Sequence, residues 1–300
     1  MPLRPDTPRI PRAATLLGML IAGMLAGCVT HTGQPAVGAS GTAKAYRHIR
    51  SDNLVYTAPG KDPPQHADLF LPEGVASAPV IVLIHGGGWI RGQRDEMDGI
   101  AERAVERGYA VLNIDYRLAP QHPYPAALDD VHAAIEWAHQ HAAARGFDAS
   151  RISVWGYSAG AHLAALAGTL DAPASQRPHA VVAGGVPADM VRASTSDLVG
   201  KFMGGTLEQM PERYRQASPL HQVSADDAPG FYYHGTWDRI VWPGYSRQMR
   251  DALSSAGVPA ELFLIHGLGH IATFVFDGRA VDAALDFLDR QMPAHTTAEQ

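Results

Sequence analysis

The stretch Gly156-Tyr157-Ser158-Ala159-Gly160 decides the fold prediction, because it joins an apolar strand, Ile152 to Tyr157, to an apolar helix, Ala159 to Leu170. G-x-S-x-G in this context predicts a very tight turn, with glycine required two positions either side of the serine. Such a turn points the Ser158 side chain away from the sheet, and the free amides that begin the helix can stabilise negative charge. We therefore predict that Ser158 is a nucleophile and that the Ala159 amide is an oxyanion donor.

A second motif, His85-Gly86-Gly87-Gly88-Trp89, directly follows the most apolar strand, Val80 to His85. Consecutive glycines let the backbone approach a ligand oxygen and direct N–H groups at it, although a flexible loop is the alternative interpretation. H-G-G-G segments form the other half of the oxyanion hole in lipases and esterases. We expect the amides of Gly87 and Gly88 to act beside that of Ala159, and we expect His85 to be structural.

A nucleophilic serine needs a histidine base and an acid that orients this base, and here both should follow the serine in the order acid, then histidine. His270 comes just after the predicted strand Glu261 to His266, at the edge where the carboxyl ends of parallel strands meet. His266 is the alternative base. Asp238 follows the preceding strand, Gly230 to Gly235, and is the predicted acid.

Short runs rich in Val and Ile alternate with longer segments of helical periodicity from about Tyr46 onward, which predicts an α/β fold. We expect a mostly parallel central sheet with helices on both faces. The remaining predicted strands are 67–71, 109–115 and 180–186, and the remaining predicted helices are 95–107, 125–144, 244–256 and 278–292. Residues 187–229 form too long a connection for an α/β unit and are predicted to hold a small helical lid.

The segment from Tyr46 to Met292 resembles an α/β-hydrolase of the hormone-sensitive-lipase and carboxylesterase-like group. The resemblance is carried by the H-G-G-G-W and G-Y-S-A-G motifs, by Asp115-Tyr116-Arg117-Leu118-Ala119-Pro120, by Pro125-Ala126-Ala127-Leu128-Asp129-Asp130, by Asp238 and by His270. Tyr157 before the serine and Gly160-Ala161-His162 after it are similar to the residues of feruloyl-esterase-like enzymes and kynurenine formamidases.

The resemblance implies a serine carboxylesterase that hydrolyses small or aromatic esters through an acyl-enzyme. An arylformamidase is the alternative enzyme, and a catalytically inactive envelope scaffold is the alternative from another class. Trp89, Tyr157 and Trp237 are expected to flank the site.

The N-terminal segment has the layout of an export signal, with arginines before an uncharged apolar run, Ala13 to Gly27. This run is shorter than the roughly 20 residues that span a bilayer. Leu25-Ala26-Gly27-Cys28 resembles the lipobox of bacterial lipoproteins, in which the cysteine is lipidated and becomes the new N-terminus. We expect a signal peptide over 1–27 and attachment to a membrane of the bacterial cell envelope through Cys28. An uncleaved anchor, or a chance cysteine beside an ordinary cleavage site, are the alternatives.

Residues 28–45 are rich in Thr, Gly, Ala and Ser and predict a flexible tether, residues 46–292 form the predicted catalytic domain, and residues 293–300 form a tail.

Composition excludes several classes of function. The chain has 300 residues, 46% hydrophobic and 18% charged, as in a packed globular protein. A net charge of −6 does not favour binding to the phosphate backbone of nucleic acid. No P-loop, G-x-G-x-x-G or H-E-x-x-H motif occurs, so we predict no cofactor and no metal. The predicted partner is a small-molecule ester, and the sequence contains no signal for an oligomeric state.

Overall fold

The structure is a computed structural model that describes residues 28–33, 45–276 and 278–293. The predicted signal peptide, residues 34–44 of the predicted tether and residues 294–300 of the predicted tail lie outside the described residues. Within the described ranges, no helix has the length and apolar character needed to cross a membrane.

A nine-stranded sheet forms the centre of the fold, in the order β1-β9-β8-β7-β6-β4-β5-β3-β2. The strands are β1 Val29–Thr32, β2 His48–Val55, β3 His66–Pro72, β4 Ala78–Ile84, β5 Ala110–Ile114, β6 Phe147–Tyr157, β7 Ala180–Gly184, β8 Gly230–Gly235 and β9 Ala260–Ile265. The six strands from β4 to β9 pair with one another in parallel. β1 pairs antiparallel with β9 at one edge of the sheet, and β3 and β2 pair antiparallel at the other edge. The prediction of a mostly parallel sheet is confirmed.

Helices cover both faces of this sheet. They are α1 Asp98–Glu106, α2 Ala126–Arg145, α3 Ala159–Thr169, α4 Asp197–Met203, α5 Pro211–Gln216, α6 Gly244–Ser255, α7 His270–Val275 and α8 Gly278–Gln291. On β4, Val82 and Ile84 pack in the core shared with α2, α3 and α6, whereas Ile81 and Leu83 pack in the core shared with α1 and α8. The continuously apolar sequence of β4 follows from this burial on both faces.

The connection between β7 and β8 contains α4, α5 and a short 3-10 turn, Pro219–His221. It contacts the motif after β4 through aromatic rings, since Phe202 stacks on Trp89 with ring centroids 4.6 Å apart. The Tyr124 amide also donates to the Phe202 carbonyl at 2.7 Å. Long connections of this kind are tolerated where they form structure of their own.

The prediction of a flexible tether over 28–45 is wrong for its first residues, because Val29–Thr32 forms β1 and pairs antiparallel with β9. His31 Nε2 lies 2.8 Å from the buried carboxylate of Glu261, and its ring makes edge contacts with Phe231 and Phe263. The outer edge of β9 would otherwise present unpaired backbone groups. The composition of this segment does not reveal the pairing, because the partner strand is some 230 residues away in sequence.

Candidate active site

Ser158 occupies the strained turn between β6 and α3, with φ 55° and ψ −117°. Glycine is required at both flanking positions, because the backbone around them leaves no room for a side chain. A Cβ on Gly156 would lie 2.2 Å from the Gly160 carbonyl, and a Cβ on Gly160 would lie 2.1 Å from the Ile84 carbonyl oxygen. Ala159 is the first residue of α3, so its amide has no acceptor within the helix. The turn therefore presents both a hydroxyl and a free amide at the carboxyl edge of the sheet.

Gly160→Ala is expected to destabilise the fold by about 3 kcal/mol or more, because backbone atoms of Ile84 and His85 would have to move from the added methyl group. Gly99→Ala is the matched control, since a Cβ there meets nothing within 4 Å in helix α1. The control should be stabilised by about 0.5 to 1 kcal/mol. Urea unfolding of both variants measures the difference, and equal midpoints would contradict the packing argument.

The glycine motif after β4 crosses directly above this serine. A Cβ on Gly86 would lie 3.5 Å from Ser158 Cβ, and Gly87 and Gly88 adopt positive φ values of 101° and 62°. Among the described residues, no acceptor pairs with the Gly87 or Gly88 amide. All three glycines line the same cavity as Ser158. The loop thus places N–H groups without an acceptor in the cavity beside Ser158, which is what an oxyanion hole requires.

His270 and Asp238 form a short buried contact beside this loop. His270 Nδ1 lies 2.6 Å from Asp238 Oδ2, and the Asp238 side chain is fully buried. The other oxygen, Oδ1, accepts from the Ile240 and Val241 amides at 2.8 Å each. Burial alone would favour the neutral acid, but hydrogen bonds from His234, His270 and the Val241 amide hold the pKa of Asp238 well below its ordinary value. Asp238 is therefore held as a carboxylate beside His270.

A second imidazole, that of His234, contacts the Asp238 carboxylate. The sequence does not predict this contact. His234 Nε2 lies 3.0 Å from Asp238 Oδ2, and its Nδ1 lies 2.7 Å from the Ser246 hydroxyl on α6. Both His234 and Ser246 are fully buried. The spacing of four residues between His234 and Asp238 was the available signal, but it acquires meaning only because the chain turns sharply after β8.

Tyr157 and Gly185 fix the position of His270. The Tyr157 hydroxyl donates to the His270 carbonyl at 2.6 Å, and a Cβ on Gly185 would lie 3.0 Å from His270 Cε1. The alternative base, His266, is exposed, and its Nε2 lies 2.8 Å from the Thr30 hydroxyl. His266 does not line the cavity that holds Ser158, whereas His270 does.

The three aromatic residues expected to flank the site have different positions. Tyr157 lines the cavity, Trp89 is buried beneath the glycine loop, and Trp237 is exposed outside the cavity. The Trp89 indole donates to His162 Nδ1 at 3.2 Å, and His162 Nε2 in turn lies 2.7 Å from the Ala217 carbonyl. His162 thereby connects the glycine loop, α3 and the connection between β7 and β8. Accepting at Nδ1 and donating at Nε2 requires the neutral ring.

Burial lowers the pKa of His162 to about 4, although its bond to the Ala217 carbonyl opposes the shift. As the pH falls, His162 of the unfolded chain is protonated near its ordinary pKa of about 6.5, whereas His162 of the folded chain stays neutral until about pH 4. The free energy of unfolding therefore decreases as the pH drops from about 6.5 to 4. At pH 4.5 this group should cost about 2 to 3 kcal/mol relative to pH 7. His162→Gln keeps an acceptor and a donor without titrating, and urea unfolding at both pH values should show less acid sensitivity by that amount. Equal sensitivity in the two proteins would refute the assignment.

The cavity has a volume of about 270 Å³ and is bounded by side chains from several separate segments. Besides the residues above, its walls are formed by the apolar side chains of Leu198, Ile240, Ile271 and Phe274 and the polar side chains of Arg91 and Glu96. No sequence motif identified these six residues, because they meet only when the carboxyl edge of the sheet is assembled.

Comparison with known proteins gives the family. The family model described as BD-FAE matches residues 67–253, which is more than half of the chain. The chain belongs to the BD-FAE family. The predicted resemblance to hormone-sensitive-lipase and carboxylesterase-like α/β-hydrolases is confirmed.

Two curated relatives of this BD-FAE chain come from Mycobacterium tuberculosis. Esterase LipC is 29% identical over 77% of the chain and 62% of its own length, and Esterase LipQ is 32% identical over 70% of the chain and 55% of its own length. The chain thus spans less than two thirds of either relative. A solved structure, a truncated form of a carbohydrate esterase from gut microbiota, superposes with a TM-score of 0.73 at 24% identity over 83% of this chain and 97% of that one. This likeness supports the fold.

Proposed function

We propose that this BD-FAE family member is a serine carboxylic-ester hydrolase that uses Ser158, His270 and Asp238. The observation that carries the proposal is one cavity lined by Ser158 on its strained turn, by His270 and by Gly87 and Gly88. The buried carboxylate of Asp238 lies 2.6 Å from His270. The names of the two mycobacterial relatives, both esterases, support the same activity.

In the proposed reaction, His270 Nε2 takes the proton of Ser158 as Oγ attacks the ester carbonyl. Asp238 holds the proton of His270 on Nδ1, which leaves Nε2 free to accept, and stabilises the imidazolium that forms. The amides of Gly87, Gly88 and Ala159 bind the oxyanion, and His270 then protonates the leaving alcohol. Water hydrolyses the acyl-enzyme by the same route, with His270 again as the base.

Size and chemistry of the cavity favour small or aromatic esters. A volume of about 270 Å³ lies near the lower end for small-molecule sites. The walls contributed by Leu198, Ile271 and Phe274 are apolar, and such walls bind an acyl group or an aromatic ring by excluding water. A long straight acyl chain would extend out of the cavity.

A panel of esters tests the function. p-Nitrophenyl esters from acetyl to decanoyl, methyl ferulate and N-formylkynurenine would be compared by kcat/KM, together with labelling by a fluorophosphonate probe. We expect turnover of acetyl to butyryl or aromatic esters, a fall of about tenfold or more beyond eight carbons, and a covalent adduct on Ser158. Preference for the formamide would indicate an arylformamidase. Absence of both turnover and adduct would indicate a non-catalytic protein.

We further propose that the protein is attached to a membrane of the bacterial cell envelope through a lipid on Cys28. The string Leu25-Ala26-Gly27-Cys28 supports this, and Cys28 is exposed and free of any disulfide. Metabolic labelling with radioactive palmitate should mark the wild-type protein and leave Cys28→Ser unlabelled. An unlabelled wild-type protein would disprove lipidation.

A further inference from the structure

Five large apolar side chains are exposed around the mouth of the cavity and are here called the rim surface. They are Trp237, Ile240, Ile271, Val275 and Phe276, with exposed fractions from 61% for Val275 to 71% for Trp237 and Phe276. Individual exposed apolar residues are ordinary, but a contiguous group of this size marks an interaction site.

The rim surface is continuous because its two contributing segments are bonded to each other. The Trp237 amide donates to the Leu268 carbonyl at 2.9 Å, which joins the loop after β8 to the loop that leads into α7. Ile271 and Val275 are one turn apart on α7 and therefore lie on the same face. Ile240 and Ile271 also line the cavity that holds Ser158. The surface thus passes directly into the candidate active site.

Charge around the rim surface differs from that of the chain as a whole, whose net charge is −6. Residues 265–276 contain no acidic side chain, and acidic residues return only at Asp277. In the loop 236–242, the acidic residue is the buried Asp238, whereas Arg239 is exposed. At the cavity wall the exposed Glu96 is offset by the exposed Arg91. An apolar surface whose two segments carry an exposed cation and no exposed carboxylate is complementary to the anionic headgroups of a bacterial membrane.

Cys28, the proposed attachment point, lies at the same edge of the sheet as the rim surface. Because β1 runs antiparallel to β9, Cys28 is at the carboxyl end of β9, and the His266 amide donates to the Cys28 carbonyl at 3.0 Å. The adjoining Gly267 amide donates to the Thr236 hydroxyl at 3.1 Å, next to Trp237. Since β1 begins at Val29, no slack separates Cys28 from the sheet. The uncharged run Ala13 to Gly27 ends at this position.

We infer that the rim surface docks on a phospholipid bilayer, so that the cavity opens toward the membrane and receives esters that partition into it. The inference rests on the proposed membrane attachment, and its substrate class rests on the proposed hydrolase activity. Either a lipid on Cys28 or a retained apolar run would hold this edge of the sheet against the bilayer. A bilayer fits this surface better than a second protein does, because the attachment point and the apolar side chains share one edge.

The test uses the full chain with vesicles of phosphatidylethanolamine and phosphatidylglycerol at 3:1, prepared with and without brominated phospholipid. Bromine quenches tryptophan emission only at close approach, and subtracting the signal of Trp237→Phe isolates Trp237 from the other tryptophans. The paired variant Val275→Ser/Phe276→Ser removes apolar rim residues that do not line the cavity. Its matched control is Ile49→Ser/Val55→Ser, which removes residues 56% and 51% exposed on β2, at the opposite side of the sheet.

We expect bromine to quench Trp237 by at least half. The rim variant should reduce this quenching at least threefold, whereas the β2 variant should leave it unchanged. Hydrolysis of soluble p-nitrophenyl acetate should be the same in both variants, which shows that they fold.

An unquenched Trp237 overturns the inference, as does equal quenching in the rim variant. Conversion of a dimer to a monomer by the rim variant, with Trp237 unquenched, would assign the surface to a second copy. Quenching without ester turnover would leave docking intact and disprove the hydrolase.

Discussion

Ser158→Ala is expected to lower kcat for p-nitrophenyl acetate by about 10⁴-fold or more. The substitution removes one oxygen and retains Cβ, so the turn at φ 55° and ψ −117° keeps its packing between Gly156 and Gly160. What is lost is the covalent step, because water then has to attack the ester directly. The amides of Gly87, Gly88 and Ala159 should still bind the oxyanion, so a small rate above the uncatalysed reaction is expected to remain.

Two controls make this result specific. Ser255→Ala, at the exposed last residue of α6, should retain the wild-type kcat. Circular dichroism and thermal unfolding of Ser158→Ala should match those of the wild type, which excludes misfolding as the cause. A Ser158→Ala protein whose kcat lies within tenfold of the wild type would refute the nucleophile assignment and, with it, the acyl-enzyme.

The parts of the site that sequence could predict are those fixed by local backbone geometry. Gly156 and Gly160 are required because a Cβ at either position would overlap backbone atoms nearby. For Gly156 the overlapping atoms belong to Gly160 and Ala161, so the requirement arises within the motif itself and can be recognised without a structure; for Gly160 they belong to Ile84 and His85 at the end of β4. The glycines after β4 are of the same kind, since the positive φ values of Gly87 and Gly88 suit residues that lack a side chain.

The parts that sequence could not predict depend on contacts between distant segments. β1 forms because the outer edge of β9 and the Glu261 carboxylate accept it, and nothing near Val29 in sequence indicates either partner. Trp237, which the sequence predicts to flank the site, is instead directed outward by the tight turn before Asp238. His234 has a role only because that same turn brings Asp238 back onto it.

Asp238→Asn is expected to lower kcat by about 10³ to 10⁴-fold, through the tautomer of His270. Oδ1 of Asp238 accepts from two backbone amides, those of Ile240 and Val241. An amide NH₂ at that position would oppose two donors, so the asparagine must place its oxygen there. Its NH₂ then faces His270, which has to accept at Nδ1. The ring proton moves to Nε2, where it blocks the acceptance of the Ser158 proton.

Asp238→Ala is the informative comparison for this prediction. Alanine leaves His270 free to adopt either tautomer, whereas asparagine enforces the wrong one, so kcat of Asp238→Asn should be no higher than that of Asp238→Ala. Fluorophosphonate labelling of Ser158 should slow in parallel, because it needs the same activated hydroxyl. Rates for Asp238→Asn within tenfold of the wild type would contradict the assigned hydrogen-bond directions.

The loss of activity in Asp238→Asn should come with little loss of stability, and His234 is the reason. The new NH₂ carries two protons and meets two imidazole nitrogens, Nδ1 of His270 and Nε2 of His234. His234 can accept one proton if it moves its own proton to Nδ1, because the Ser246 hydroxyl there can rotate to accept. The side chains of His270, His234, Ser246 and the asparagine then all keep partners, and the one bond lost is that of the Val241 carbonyl, which lies 3.2 Å from His234 Nε2. Thermal unfolding should therefore differ by only a few degrees from the wild type while kcat falls by three or more orders of magnitude. In the proposed mechanism, aspartate at position 238 thus serves the direction of a proton rather than the fold.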